Sequence, residues 1–215
     1  MEDKVKDSIR FIQTWYQKYN NQAISTTSCG ATASLMIDLI SRSQCNIPIV
    51  FIDTGFLFED TIDYFYRLRS IYNNLFFIRI RYDNDKDKFY SFADGSRKID
   101  DTNSCCEINK VKALNDFIEL NDIKCWFSAL RRDQNSIRKD MEEFSRDKNG
   151  IYRVHPVIDW NSEEVFDYIK KRELPLHPLF DMGYQSIGCE PCTKKGSGRD
   201  GRWQGMQKTE CGLHL

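Results

Sequence analysis

The stretch Ala23–Ile40, AISTTSCGATASLMIDLI, decides how this chain folds. A short β-branched run, Ala23–Thr27, gives way to hydroxyls and a glycine at Ser28-Cys29-Gly30, and then to helical spacing over Thr32–Ile40. Strand, turn and helix in that order make the opening half of a βαβ unit. The same alternation continues outward. Pro48–Ile52, Leu75–Ile80, Cys125–Leu130 and Tyr152–Val157 read as further strands, each a continuous apolar or β-branched run. Glu59–Leu68 and Ile108–Leu120 carry helical periodicity, the latter with a stripe at Ile108, Val111, Leu114, Phe117 and Ile118. Val5–Tyr19 reads as an N-terminal helix, and Asn161 with Glu164 as a capping box opening another. Continuous apolar strands separated by helices imply a mostly parallel sheet covered on both faces. The expected fold is therefore a single α/β domain of residues 1–198, followed by a mobile C-terminal tail, residues 199–215.

The 215 residues suffice for one such domain with a full core. A net charge of −1 argues against a general nucleic-acid binder. No apolar run reaches the roughly 18 residues of a membrane span. Met1-Glu2-Asp3-Lys4 is charged, so no secretory signal is expected and the cytoplasm is the expected location.

That location governs how the eight cysteines are read. In a reducing compartment, clustered cysteines are metal ligands or catalytic thiols rather than disulfides. Cys105-Cys106 are vicinal, and Cys189-Glu190-Pro191-Cys192 is a C-x-x-C. Two pairs can hold one metal centre, by spacing either an iron–sulfur cluster or zinc. Cys211, in the final Glu210–His214 run ECGLH, is then left as a reactive thiol. Cys45 and Cys125 lie in apolar surroundings and are expected to be buried small hydrophobes.

Anion-binding features gather around these cysteines. Ser28, Gly30 and Thr32 sit where a strand meets a helix N-terminus, a place suited to phosphate. Asp53 ends the second strand, where it can take a ribose hydroxyl or cap the next helix. Lys110 falls one helical turn after Cys106, able to offset a cluster's charge and face a substrate. Arg131 follows a strand and can fork onto a phosphate or sulfate, or pair with Asp133. Between Thr193 and Lys208 the tail sets Lys194, Lys195, Arg199, Arg202 and Lys208 against Asp200 alone, among glycines expected to keep it irregular. His214, three residues past Cys211, is placed to favour its thiolate.

These motifs resemble the adenylyl/phosphoadenylyl sulfate reductase family, in its assimilatory iron–sulfur type. The matching stretches are Pro48–Asp60 (PIVFIDTGFLFED), the cysteine pair with Lys110, Arg131–Arg138 (RRDQNSIR) and Asp159-Trp160. Gly183–Cys192 (GYQSIGCEPC), Arg199–Trp203 (RDGRW) and Glu210–His214 complete the set. The resemblance implies an ATP-pyrophosphatase-like fold and a [4Fe–4S] cluster on Cys105, Cys106, Cys189 and Cys192. It implies Cys211 as nucleophile and substrate contacts from the Ser28–Thr32 loop, Lys110, Arg131, Arg199 and Arg202. It further implies thioredoxin, or a glutaredoxin-like dithiol, as reductant, with adenylyl sulfate as the expected substrate. A homo-oligomer is compatible with it.

The loop departs from the family at Cys29, where relatives carry an aromatic, and at Thr32, where they carry Gln or an acid. The alternative substrate is therefore the 3′-phosphorylated nucleotide. An ATP pyrophosphatase is a second reading, but its Ser-Gly-Gly-x-Asp-Ser loop is absent. A non-catalytic iron–sulfur or zinc protein is a third, and it leaves Cys211 and the basic tail without a purpose.

Overall fold

A computed structural model describes residues 1–82, 90–93 and 96–214. Helix α1 (Glu2–Tyr19) leads into β1 (Ala23–Thr27), α2 (Ala31–Ser43), β2 (Ile49–Ile52), α3 (Glu59–Ile71) and β3 (Phe77–Ile80). A hairpin of β4 (Tyr90–Ala93) and β5 (Ser96–Ile99) follows. Helix α4 (Thr102–Cys106) continues through a π-helical turn, Glu107–Lys112, into α5 (Ala113–Leu120). The chain closes with β6 (Cys125–Phe127), β7 (Phe144–Arg146), β8 (Tyr152–Val154) and α6 (Ser162–Lys171).

Six strands form one sheet in the order β3-β2-β1-β6-β8-β7, parallel throughout except for β7. Alternation along each strand feeds two cores. Ala23, Ile49, Phe51, Cys125 and Phe127 face the side covered by α1, α2, α3 and α6. Ile24, Val50, Ile52 and Trp126 face the other side, where Leu114 of α5 meets them. Both faces are buried, which is why the strands read as unbroken apolar runs. Asn161 and Glu164 cap α6 reciprocally, as the sequence predicted.

The structure adds to three expectations. Strand β6 ends at Phe127 rather than Leu130, and the Ser128 hydroxyl beyond it meets His155 Nδ1 at 2.8 Å. The exposed edge strand β7 and the β4–β5 hairpin have no counterpart in the sequence reading. The tail is irregular, as expected, yet it is seated on the domain: Trp203 is buried, and its N–H donates to the Cys192 carbonyl at 2.9 Å. The Lys194 N–H likewise donates to Gly201 O, and Thr193 and Arg202 form a β-bridge.

The tail glycines serve close approach at the root. A Cβ on Gly201 would lie 2.1 Å from the Lys194 carbonyl oxygen, with no flexible group to yield. Gly201→Ala is therefore expected to destabilise the seated tail by about 1–3 kcal/mol, the usual cost of overpacking. A red shift of tryptophan emission as Trp203 meets water, with faster tryptic cleavage after Arg202, is the measurement that checks it.

The chain runs outward from β1 to β3 and then returns to place β6 on the opposite side of β1. The carboxyl ends of β1 and β6 thus form the switch point where a parallel sheet opens a crevice for ligands.

Candidate active site

A cavity of about 340 Å³ opens at that switch point. Its walls include Ser28, Gly30 and Thr32 after β1, and Leu130 and Arg131 after β6. Lys110, Arg199, Arg202, Cys211 and His214 close it from the other side. Apart from Asp53, every residue the sequence singled out for substrate or nucleophile lines this one space.

Asp53 does not line it. Its carboxylate is buried, accepts from Arg79 Nη2 at 2.6 Å and from the Gly55 N–H at 2.8 Å, and has Arg81 at 3.6 Å. It pins β3 to the turn after β2.

Arg131 lines the cavity, but most of its fork is taken. Nε and Nη2 meet Asp133 at 2.9 and 3.3 Å, Nη2 donates to Ser162 Oγ, and Nη1 donates to Thr32 Oγ1 at 3.0 Å. The pairing with Asp133 that competed in the sequence reading is present, and it aims the remaining N–H across the Thr32 loop. Cys29 adopts φ 59° and is fully buried in the core, where burial pushes its thiol up to about 12. Cys45 and Cys125 are buried in the core as expected, and burial raises both thiols.

The four paired cysteines converge. Cys105, Cys106, Cys189 and Cys192 line a small cleft with Thr54, Phe56 and Lys110. Asp101 caps α4 through the Asn103 and Ser104 amides, fixing the helix that presents the vicinal pair. Cys189 is held by a bridge to Leu57 and by Thr54 Oγ1 at 3.2 Å. Asn109 Nδ2 lies 3.6 Å from Cys105 Sγ. Burial raises the Cys105 thiol to about 11 and Cys192 to about 12, with the neighbouring thiols adding to both. Thiols that raise one another in this way call for a positive partner. Among the described residues, no three His, Cys, Asp or Glu side chains are arranged to hold one metal ion. Four thiols lining one cleft are, by their chemistry, donors suited to an iron–sulfur group.

Lys110 stands between the two spaces and lines both. Burial opposes its charge, but Cys189, Cys211 and Cys106 outweigh it and hold the ammonium. Burial would likewise raise the Cys211 thiol. Lys110, the Leu213 N–H and Arg202 reverse that, and the net direction is down, toward thiolate.

His214 also lines the cavity. Burial, with Arg138, His155 and Arg153 nearby, drives its pKa well below the ordinary value, so the ring is neutral. It stacks on Trp126 at 5.0 Å with Nδ1 buried and unpartnered. A neutral imidazole cannot offset a thiolate's charge, though it can hydrogen-bond what fills the cavity.

Two groups escaped the sequence reading as site residues, Glu210 and Arg138, while Arg202 was expected there. Arg202 lies over the Trp203 ring at 4.3 Å and so close to Gly188 that a Cβ there would meet its guanidinium at 2.3 Å. Glu210 is buried, accepts from Arg138 Nε and Nη2 at 2.8 and 2.9 Å and from Asn135 at 2.7 Å, and forms an ion pair with Arg199 at 3.3 Å. Its place beside Cys211, and Arg138's at the end of RRDQNSIR, were the available signals.

The comparisons agree with this geometry. Residues 3–195 match the family model described as the phosphoadenosine phosphosulfate reductase domain. Adenosine 5'-phosphosulfate reductase of Lysinibacillus sphaericus is 35% identical, over the whole chain and 93% of that protein. The same-named protein of Staphylococcus epidermidis is also 35% identical, over the whole chain and 90% of its length. Among solved structures, phosphoadenylyl-sulfate reductase from Candida auris superimposes with a TM-score of 0.70 at 20% identity, covering 86% of this chain and 88% of that one. Candida glabrata FMN adenylyltransferase shares the fold at TM-score 0.69 and 14% identity, over 91% and 65%. On the family match and the full-length relatives, the chain belongs to the phosphoadenosine phosphosulfate reductase domain family.

Proposed function

We propose that this protein is an oxidoreductase of assimilatory sulfate reduction that converts adenylyl sulfate to sulfite and AMP through an S-sulfonate on Cys211. The observation that carries the reading is the Cys211 sulfur on the wall of the switch-point cavity, with its thiolate favoured by Lys110 and Arg202. A binding protein without catalysis gives no reason for that arrangement.

The Cys211 thiolate attacks the sulfur of the mixed sulfate–phosphate anhydride. The S–O bond breaks, its electron pair leaves on the AMP phosphate, and a Cys–S–SO₃⁻ group remains. Attack of one anion on another needs cationic offset, available from Lys110, Arg199 and Arg202. Ser28, Gly30 and Thr32, with the N-terminus of α2, suit the nucleotide phosphate. A dithiol such as thioredoxin then attacks the Cys211 sulfur and expels sulfite. Its second thiol resolves the mixed disulfide, so the dithiol is oxidised and Cys211 is regenerated.

Cys105, Cys106, Cys189 and Cys192 would hold a [4Fe–4S] cluster, which when bound supplies a fixed anionic charge beside the Lys110 ammonium. Tail residues 199–215 would move to present the sulfonated Cys211 to the dithiol. The free thiols fit the cytoplasm. Among the described residues, no helix is long and apolar enough to cross a membrane.

Anaerobic sulfite release with thioredoxin, run on adenylyl sulfate and its 3′-phosphorylated form, tests the assignment. The ratio of kcat/KM is expected to favour adenylyl sulfate by about tenfold or more, since that ratio measures discrimination. A preference for the 3′-phosphorylated nucleotide would reassign the substrate, and no sulfite from either would end the proposal.

A further inference from the structure

We infer that Glu210 is a positioning residue, a carboxylate latch that seats Cys211 against the cavity through a permanent pairing with Arg138 and a transferable one with Arg199. The inference rests on Cys211 being the nucleophile.

The two arginines hold the same carboxylate in different ways. Arg138 is buried and grips both Glu210 oxygens through Nε and Nη2, while its Nη1 is taken by Gln134. Every nitrogen of that fork already has a partner. Arg199 touches only Oε2, at 3.3 Å, and its side chain is 22% exposed. Its Nη2 donates also to the Thr209 carbonyl, the residue before Glu210, at 3.3 Å. Arg199 can therefore swing to an incoming dianion while Arg138 and Asn135 keep the carboxylate in place.

Glu210 is the last side-chain anchor before the nucleophile. Upstream, Lys208 is tied to α4 at Thr102 O and Asn103 Oδ1. Beyond Glu210, Gly212 at φ 86° packs on Val111, and Leu213 joins the α5-side core. A buried carboxylate held by two guanidiniums is costly to break from one side, because the partner is left charged and unpaired. The latch thus sets how much of the time Cys211 faces the cavity. Removing it should lower the rate of sulfur transfer without weakening nucleotide capture, since it also releases Arg199 to the substrate.

Three readouts on the whole protein decide this. The first is the rate at which iodoacetamide alkylates Cys211, mapped by peptide mass, which needs no turnover. The second is the single-turnover rate of Cys211 sulfonation by adenylyl sulfate, and the third is KM. Glu210→Gln is expected to raise alkylation about tenfold or more, because the broken pair unseats the tail. It should lower sulfonation and kcat by a similar factor or more while KM stays level or falls, a split that a general loss of structure does not give. Arg138→Gln should behave as Glu210→Gln does. Arg199→Gln should instead raise KM and leave alkylation within about threefold of wild type, because the bidentate partner remains.

Asn135→Asp keeps the acceptor that caps Arg138 N but turns a donor to Glu210 into a like charge. It should reproduce the Glu210→Gln direction more mildly, and it decides the matter if Glu210→Gln does not fold. Unchanged alkylation in both Glu210→Gln and Asn135→Asp overturns the latch, as does KM rising in step with a falling kcat. Wild type that gains no sulfonate on Cys211 overturns the reductase reading instead, and the alkylation rates still report on the latch.

Discussion

Cys211→Ser should release no measurable sulfite, a loss on the order of 10⁴-fold or more, as expected when a covalent nucleophile is removed from an otherwise intact site. A serine hydroxyl would stand in the same field of Lys110 and Arg202. That field favours a thiolate, whose ordinary pKa lies near 8.5, but it cannot ionise an alcohol near neutral pH. Nucleotide binding should survive, because Ser28, Thr32, Arg131 and the tail arginines are untouched. Wild type given adenylyl sulfate without a dithiol should accumulate one sulfonate, on the peptide holding Cys211. Turnover by the variant, or a sulfonate that maps to Cys29, would remove Cys211 from the mechanism. Cys29 is a poor rival, because burial holds its thiol at about 12, away from the cavity.

Cys105→Ser should purify without its metal group, and Cys45→Ser should keep it. Wild type prepared without oxygen should carry about four iron and four acid-labile sulfide per chain, the content of a cubane on four thiolates. Zinc without sulfide would overturn the cluster. The effect should spread beyond the metal. Phe56 and Trp203 pack against Cys105, Cys189 and Cys192, and Arg202 lies on Trp203. Loss of the group from that cleft should loosen Trp203 and with it the arginine that lines the cavity. Sulfite release should therefore fall together with iron content across partly loaded samples.

Much of this was legible in the sequence because the physics was local. Ile49–Ile52 reads as a strand since both sheet faces bury it, and Asn161 with Glu164 caps α6 within a single turn. The two cysteine pairs and Cys211 announce themselves by residue type. What escaped depends on distant partners. Asp53 sits where a ribose ligand or a structural carboxylate would sit, and the partner it meets, Arg79, lies on the neighbouring strand. Glu210 meets Arg138, 72 residues earlier, through a fold that no local pattern encodes. The exposed β7, only three residues long, carries no periodicity to detect. The π-helical turn at Glu107–Lys112 was equally silent, since the apolar stripe of α5 runs on through it.

Trp203 at the root and Glu210 beside Cys211 are two of the tail's pins, with Leu213 and His214 held beyond them, and between the two Gln204–Thr209 touches the domain through Lys208 and a half-buried Met206. With the tip released, Cys211 would hang from Trp203 on a leash of eight residues. At about 3.3–3.6 Å per residue, its radius is at most about 26–29 Å. The sulfur then travels as tethered cargo, confined near its own domain at an effective concentration on the order of millimolar. Closing such a leash grows costly only slowly with length, about 0.6 kcal/mol for each doubling. Insertions between residues 204 and 207 should therefore be absorbed with little loss of turnover, whereas a change at either pin should not.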